Sequence, residues 1–262
     1  MKDVCVLARV GDLFSLMLIK ELQELSVDFD VCWIVATNKK KKLRQERFIG
    51  MSIWSYTFWK DYFGQILFGY SKTQKEILKE YYPLLLREKQ LDDKIVFEEL
   101  NDCKSYLCNH NYKHVLVGGV PILPNAFFEN NSIMFIGCHP APLPEVRGED
   151  HLVFTLFYSL YPSVSIYQLD RHIDGGGIFE VVSLDSITID DNFYSIQLKL
   201  EVHRAKTLAK FARKLLSDNV KLNPIPNKGK LHQYKDVTNR IKKEAERNLK
   251  KLFSCKFAQP IQ

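Results

Sequence analysis

Residues Ser132 to Gly137 read as an apolar strand that cannot extend far beyond His139, because Pro140, Pro142 and Pro144 come next. Proline has no amide hydrogen for a sheet ladder and fixes its own φ, so the strand must stop and the histidine must enter a stiffened loop. A second strand-like run, Ser163 to Leu169, ends on Asp170-Arg171-His172-Ile173-Asp174-Gly175-Gly176-Gly177. In an open parallel sheet, ligands bind in the crevice beyond the carboxyl ends of the strands. Two strand ends that deliver His139 and Asp174 to that crevice make a candidate proton-handling pair. The three glycines are expected to keep the turn tight and to let backbone approach a ligand closely.

The pattern around these segments sets the fold class. Asp3 to Ala8 is a valine-rich strand, and Gly11-Asp12 then opens a helical pattern through Leu25. Phe29 to Ala36, Lys94 to Phe97, His114 to Gly119 and Ile178 to Ile187 read as further strands. Asp102 to His110, Glu149 to Leu160 and Asn192 to Leu216 read as helices, the last capped by Asp190-Asp191. Strands alternating with helices predict an α/β fold with a doubly wound, mostly parallel sheet. Residues 45 to 90, rich in aromatics such as Trp54, Trp59 and Tyr70, are expected to form a helical insertion packed on the sheet. Beyond Asn219 the chain turns polar, with Asn223 to Asn227 as a linker and a basic helix from Asn239 to Phe253. The expected division is a main domain over residues 1–219 and a C-terminal basic extension over 220–262.

Composition narrows the class. A chain of 262 residues, 46% hydrophobic, suits one compact core. Six cysteines without CxxC spacing argue against a disulfide framework and for a reducing, cytoplasmic setting. Met1-Lys2-Asp3 leads straight into a strand, so no leader is expected. The most apolar window, Leu152 to Tyr167, contains Pro162 and is too short for a span, so no membrane role is expected. The net charge of +6 gathers in Lys39 to Lys42 and in Lys228 to Lys251. These runs read as solvated surface, and nucleic acid is not the expected partner. His139, His151, His172 and Cys138 show no metal-ligand spacing, so no metal site is expected. His151, Arg171 and His172 are expected on the surface or in loops. A phosphate or carboxylate could sit at the helix N-terminus after Gly11-Asp12.

Three features in order, Ile122-Leu123-Pro124, then His139-Pro-Ala-Pro-Leu-Pro with Arg147-Gly148, then Asp174-Gly175 about thirty-five residues after the histidine, resemble the folate-dependent formyltransferases. That group includes glycinamide ribonucleotide, methionyl-tRNA and sugar N-formyltransferases. The similarity covers roughly residues 3 to 215 and is tightest from Val115 to Ile178. It implies a Rossmann-like formyltransferase core over 1–219 that moves a formyl group from N10-formyltetrahydrofolate to an amine. It implies His139 and Asp174 as catalytic residues. Val120, Ile122, Leu123, Pro124, Leu169, Asp170 and Ile173 would hold the folate, and Gly11, Asp12 and Arg147 the substrate. The expected acceptor is an amino sugar linked to a nucleotide. Alternatives are methionyl-tRNA or another amine, water as acceptor, or a catalytically impaired relative that only binds. A homodimer through the basic helix or the aromatic insertion is the expected assembly.

The chain departs from the family pattern at three places. The family's asparagine falls two residues before its histidine, where this chain has Gly137. Ala141 stands in place of a serine, and Asp174-Gly-Gly-Gly replaces Asp-x-Gly-Asp. Loss of one oxyanion donor typically costs about 10²–10³ in rate, so another group must supply that function or the activity must be slow.

Overall fold

The computed structural model describes residues 2–35, 95–129, 132–185, 187–216 and 222–254. The expected aromatic insertion over 45–90 and the run Lys39 to Lys42 lie outside the described residues.

In chain order the elements are β1 (Val4–Arg9), α1 (Leu13–Glu24), β2 (Asp30–Ile34), β3 (Ile95–Phe97), α2 (Leu100–Asn109), β4 (His114–Val117), β5 (Met134–His139), β6 (Arg147–Gly148), α3 (His151–Phe157), β7 (Ser163–Gln168), β8 (Ile178–Ser183), α4 (Phe193–Leu216), β9 (Leu231–His232) and α5 (Asn239–Ser254). Among the described residues seven strands form one sheet in the order β3-β2-β1-β4-β5-β7-β8, and β6 pairs with β9 in a separate ladder. The fold is α/β with a mostly parallel sheet. Its winding reverses between β1 and β4, as a doubly wound sheet requires.

Period-two alternation explains how the sheet is covered on both faces. In β1, Val4, Val6 and Ala8 join a large core with α1, α3, α4 and α5, whereas Cys5 and Leu7 join a second core with Cys32, Cys103 and Phe127. Both sides of the strand are dry, so it reads as a continuous apolar run.

Asp174 does not come from the carboxyl end of a parallel strand, and that expectation is corrected. Strand β7 runs antiparallel to both β5 and β8, so Ser165 faces His139 and Gln168 faces Ile136. A parallel return needs a crossover that spans the sheet, usually a helix. The connection from β5 to β7 instead passes through the proline loop and β6, and its seven-residue helix α3 packs against α5. Asp174 therefore belongs to the hairpin loop between β7 and β8.

Two smaller expectations also change. Asn192, not Asp190-Asp191, caps α4: its Oδ1 accepts from the amides of Tyr194 and Ser195 at 3.0 and 2.9 Å. The carboxylate of Asp191 is instead buried and takes Lys199 Nζ and Ser195 Oγ. The expected linker over 223–227 is also built into the fold. Ile225 exchanges both backbone hydrogen bonds with Ile178, and α5 places Ala245 and Leu252 in the large core. Among the described residues no helix is long and apolar enough to cross a membrane.

Candidate functional site

Because Ile136 and Cys138 point into the large core, Gly137 and His139 point to the opposite face of β5. Tyr167 and Ser165 stand directly across from them on β7. Ser165 fastens the proline loop. Its hydroxyl donates to the Ala141 carbonyl at 2.7 Å and accepts from the Leu143 amide at 2.8 Å. Ser165→Ala would leave both buried groups unpaired and is expected to cost about 1–3 kcal/mol, measurable by urea unfolding.

His139 is 6% exposed, and its Nδ1 lies 3.5 Å from Asp174 Oδ2. The Asp174 backbone is left-handed, with φ 45°. Its Oδ1 accepts from the Tyr167 hydroxyl at 2.7 Å and its Oδ2 from the Gly148 amide at 3.0 Å. Its carbonyl accepts from Asn227 Nδ2 at 2.6 Å. Three residues thus surround the carboxylate, and Asn227 holds its backbone.

Burial pushes the His139 pKa down; Asp174 opposes that shift and the Arg204 cation adds to it. The ring is therefore neutral at pH 7. Nδ1 faces Asp174 and the Val146 backbone also approaches the ring, while Nε2 is shielded from solvent and has no hydrogen-bond partner among the described residues. His151 stands edge-on at 6.1 Å, and burial lowers its pKa still further. It is not the surface residue expected, because the first turn of α3 packs it beside His139. Arg204 is half-buried under the strand end, where Nε donates to the Cys138 carbonyl at 2.8 Å and Nη1 pairs with Glu201 at 2.6 Å. Its guanidinium lies 3.9 Å from the centre of the Phe14 ring. Burial pushes the Cys138 thiol up to about 12, so it is no nucleophile at neutral pH.

The depressed histidines have a signed consequence. His139, His151, His203 and His114 all titrate below the usual 6.5 when folded. The unfolded chain therefore binds protons first, and folding stability is lost as pH falls from about 6.5 toward the folded values. Tm should hold above about pH 7 and fall as pH drops below about 6.5, as followed by calorimetry.

A cleft of about 510 Å³ opens on Asp174. Ile122 and Ile173, 75% and 44% exposed, form apolar walls, and residues 231–235 with Gly148 and Glu149 close the other side. His139 does not line this space but stands behind Asp174.

The other expected binding residues mostly serve the fold. Leu123 is buried, and Leu169 is partly buried with its amide on the Phe135 carbonyl. The Val120 amide bonds the Gly118 carbonyl, and the Pro124 carbonyl takes the Phe127 amide. Asp170 accepts from the His172 amide at 2.8 Å. The α1 N-terminus after Gly11 is closed by Asp12 itself, whose Oδ2 accepts from the Ser15 amide and hydroxyl, both at 2.8 Å. Arg147 holds backbone: Nη1 donates to the Gly229 carbonyl at 2.7 Å and Nη2 to the Ile173 carbonyl at 2.8 Å. The three glycines after Asp174 admit protein rather than ligand. A methyl at Gly175 would meet His172 and Arg147, one at Gly176 the Gln168 carbonyl, and one at Gly177 the Pro224 ring.

Sequence reasoning missed Tyr167, Arg204 and the wall over 231–235. For Arg204 a signal existed: a single cation lies on the apolar stripe of Leu200, Leu208 and Phe211, four residues from each of its two flanking leucines.

No family model matches the chain, and no curated protein matches it. Solved structures share its fold. A 4-N formyltransferase from Francisella tularensis aligns with a TM-score of 0.56 and 13% identity over 92% of this chain and 85% of that one. A candidate sugar N-formyltransferase from Mycobacterium tuberculosis aligns with a TM-score of 0.56 and 16% identity, over 95% and 88% of the two chains. Phosphoribosylglycinamide formyltransferase from Coxiella burnetii aligns at 0.51 with 13% identity, over 87% and 94%. The fold of this chain is thus one that formyltransferases share.

Proposed function

We propose that the chain transfers a formyl group from N10-formyltetrahydrofolate to a primary amine, an amino sugar carried on a nucleotide. The observation that carries this reading is Asp174, a carboxylate on the wall of an apolar-sided cleft and backed by a buried neutral imidazole. The exposed side chains of Ile122 and Ile173 suit the flat face of a folate ring. Folate bound there would supply the formyl carbon that the amine attacks.

The residues then divide the proton work. As the carbon–nitrogen bond forms, the amine must lose a proton, and the departing folate nitrogen must gain one. Asp174 meets the incoming amine and takes its proton. His139 Nδ1, 3.5 Å behind, faces the same carboxylate oxygen and stabilises its negative charge before and after that transfer. The proton then passes from Asp174 to the leaving nitrogen, so the pair ends as it began. Residues 1–219 would carry this chemistry, and 220–262 would close the cleft through 231–235 on the acceptor side.

The test is incubation with N10-formyltetrahydrofolate and a panel of nucleotide-linked amino sugars, with tetrahydrofolate release as the readout. Release that depends on one acceptor supports the reading. Release without any acceptor means hydrolysis. Tight folate binding without turnover means a protein that binds and does not catalyse.

A further inference from the structure

A second group completes the Asp174 site from the neighbouring strand. Gly137 and Tyr167 are direct cross-strand partners on one face of the sheet. A methyl group built on Gly137 would lie 3.1 and 3.3 Å from Tyr167 Cε1 and Cζ, and 2.7 Å from Leu169 Cδ1. The phenol end of the ring and the Leu169 side chain thus fill the space that a side chain at 137 would need. Glycine in a strand commonly marks such a close approach. The ring is buried, and its hydroxyl has one described acceptor, Asp174 Oδ1 at 2.7 Å. With Oδ1 tied to Tyr167 and Oδ2 to the Gly148 amide, the carboxylate cannot rotate, and Oδ2 stays turned toward His139 Nδ1.

We infer that Tyr167 is a positioning residue of this centre: seated over Gly137, its phenol locks the Asp174 carboxylate in the orientation that faces His139. Gly137 and Tyr167 are then one device, in which the missing side chain on β5 makes room for a hydroxyl delivered from β7. Its consequence for turnover rests on the formyl-transfer reading, but the positioning itself does not.

Tyr167→Phe keeps the ring and removes only the hydroxyl, so packing over Gly137 survives. The variant is read in two ways. On the acceptor that supports turnover, kcat should fall by about ten- to a hundredfold, the equivalent of one hydrogen bond to a charged group, while KM for both substrates stays within about twofold. Independently of any substrate, nitrogen NMR of the histidine rings near pH 8 should show His139 chiefly as the Nδ1–H tautomer in the wild type and as a mixture in Tyr167→Phe. Gly137→Ala keeps the hydroxyl but crowds the ring, and should move the tautomer ratio the same way. An unchanged ratio in Tyr167→Phe would overturn the inference. If no acceptor is ever formylated, the NMR measurement still decides the role of Tyr167, so the two ideas fail separately.

Discussion

Asp174→Asn is expected to lower kcat by about 10²–10⁴ while lowering Tm less than Asp174→Ala does. The substitution is chosen for its backbone. Asp174 sits at φ 45°, a left-handed conformation that asparagine tolerates and alanine does not. Asp174→Ala would add strain of about 1–2 kcal/mol and confuse folding with chemistry. Asparagine also keeps one oxygen for the Tyr167 hydroxyl. It cannot accept the amine's proton, and its amide faces the Gly148 N–H or His139 as a donor where a charge stood before. Steady-state kinetics and a thermal melt on the same preparation check the result. Wild-type turnover by Asp174→Asn would remove Asp174 from the proton path.

Phe154→Ala should destabilise the fold by about 3–5 kcal/mol, the usual cost of emptying a large buried ring site. The particular location makes the effect informative. Phe154 is buried among Ala141 and Val146 of the proline loop, with Val237 and Ile241 packed beside it. Its ring stacks on His232 at 4.0 Å between centroids. One side chain therefore joins α3, the loop after His139 and the segment that lines the cleft. Urea unfolding measures the loss. Hydrogen exchange should also quicken at residues 231–235 more than in β1 or β4, because the seam holding that wall is what has been cut.

How much of this is readable from sequence differs from element to element, for physical reasons. The end of β5 is plain, since three prolines forbid a ladder. The two-sided apolar run of β1 announces a central strand equally clearly. Asp174 is found through its glycines, although those glycines accommodate Arg147, Gln168 and Pro224 rather than a ligand. The direction of β7 cannot be read. Strand direction depends on where the residues between 140 and 162 pack, and that is a tertiary fact. Tyr167 is hidden for a related reason: its meaning lies in its register opposite Gly137, and a one-residue slip would turn the ring to the other face. Residues 223–227 carry the composition of a linker, yet Ile225 pairs with Ile178, which composition cannot foresee. Within the candidate site, the pair His139 and Asp174 is visible and the groups that orient it are not.

Asp174 is held at its carboxylate by Tyr167 from seven residues away and by Gly148 from 26, and at its backbone carbonyl by Asn227 from 53. Arg147 reaches Gly229 across 82 residues. The stretch 227–235 beside this centre is largely exposed, and segments that bury little apolar surface open locally at lower free energy than core strands. The centre can therefore open while the sheet stays closed. The C-terminal segment is the latch of the site. Partial unfolding that frees residues 227–235 would silence the protein while leaving its core intact, so loss of function should precede loss of secondary structure as denaturant rises.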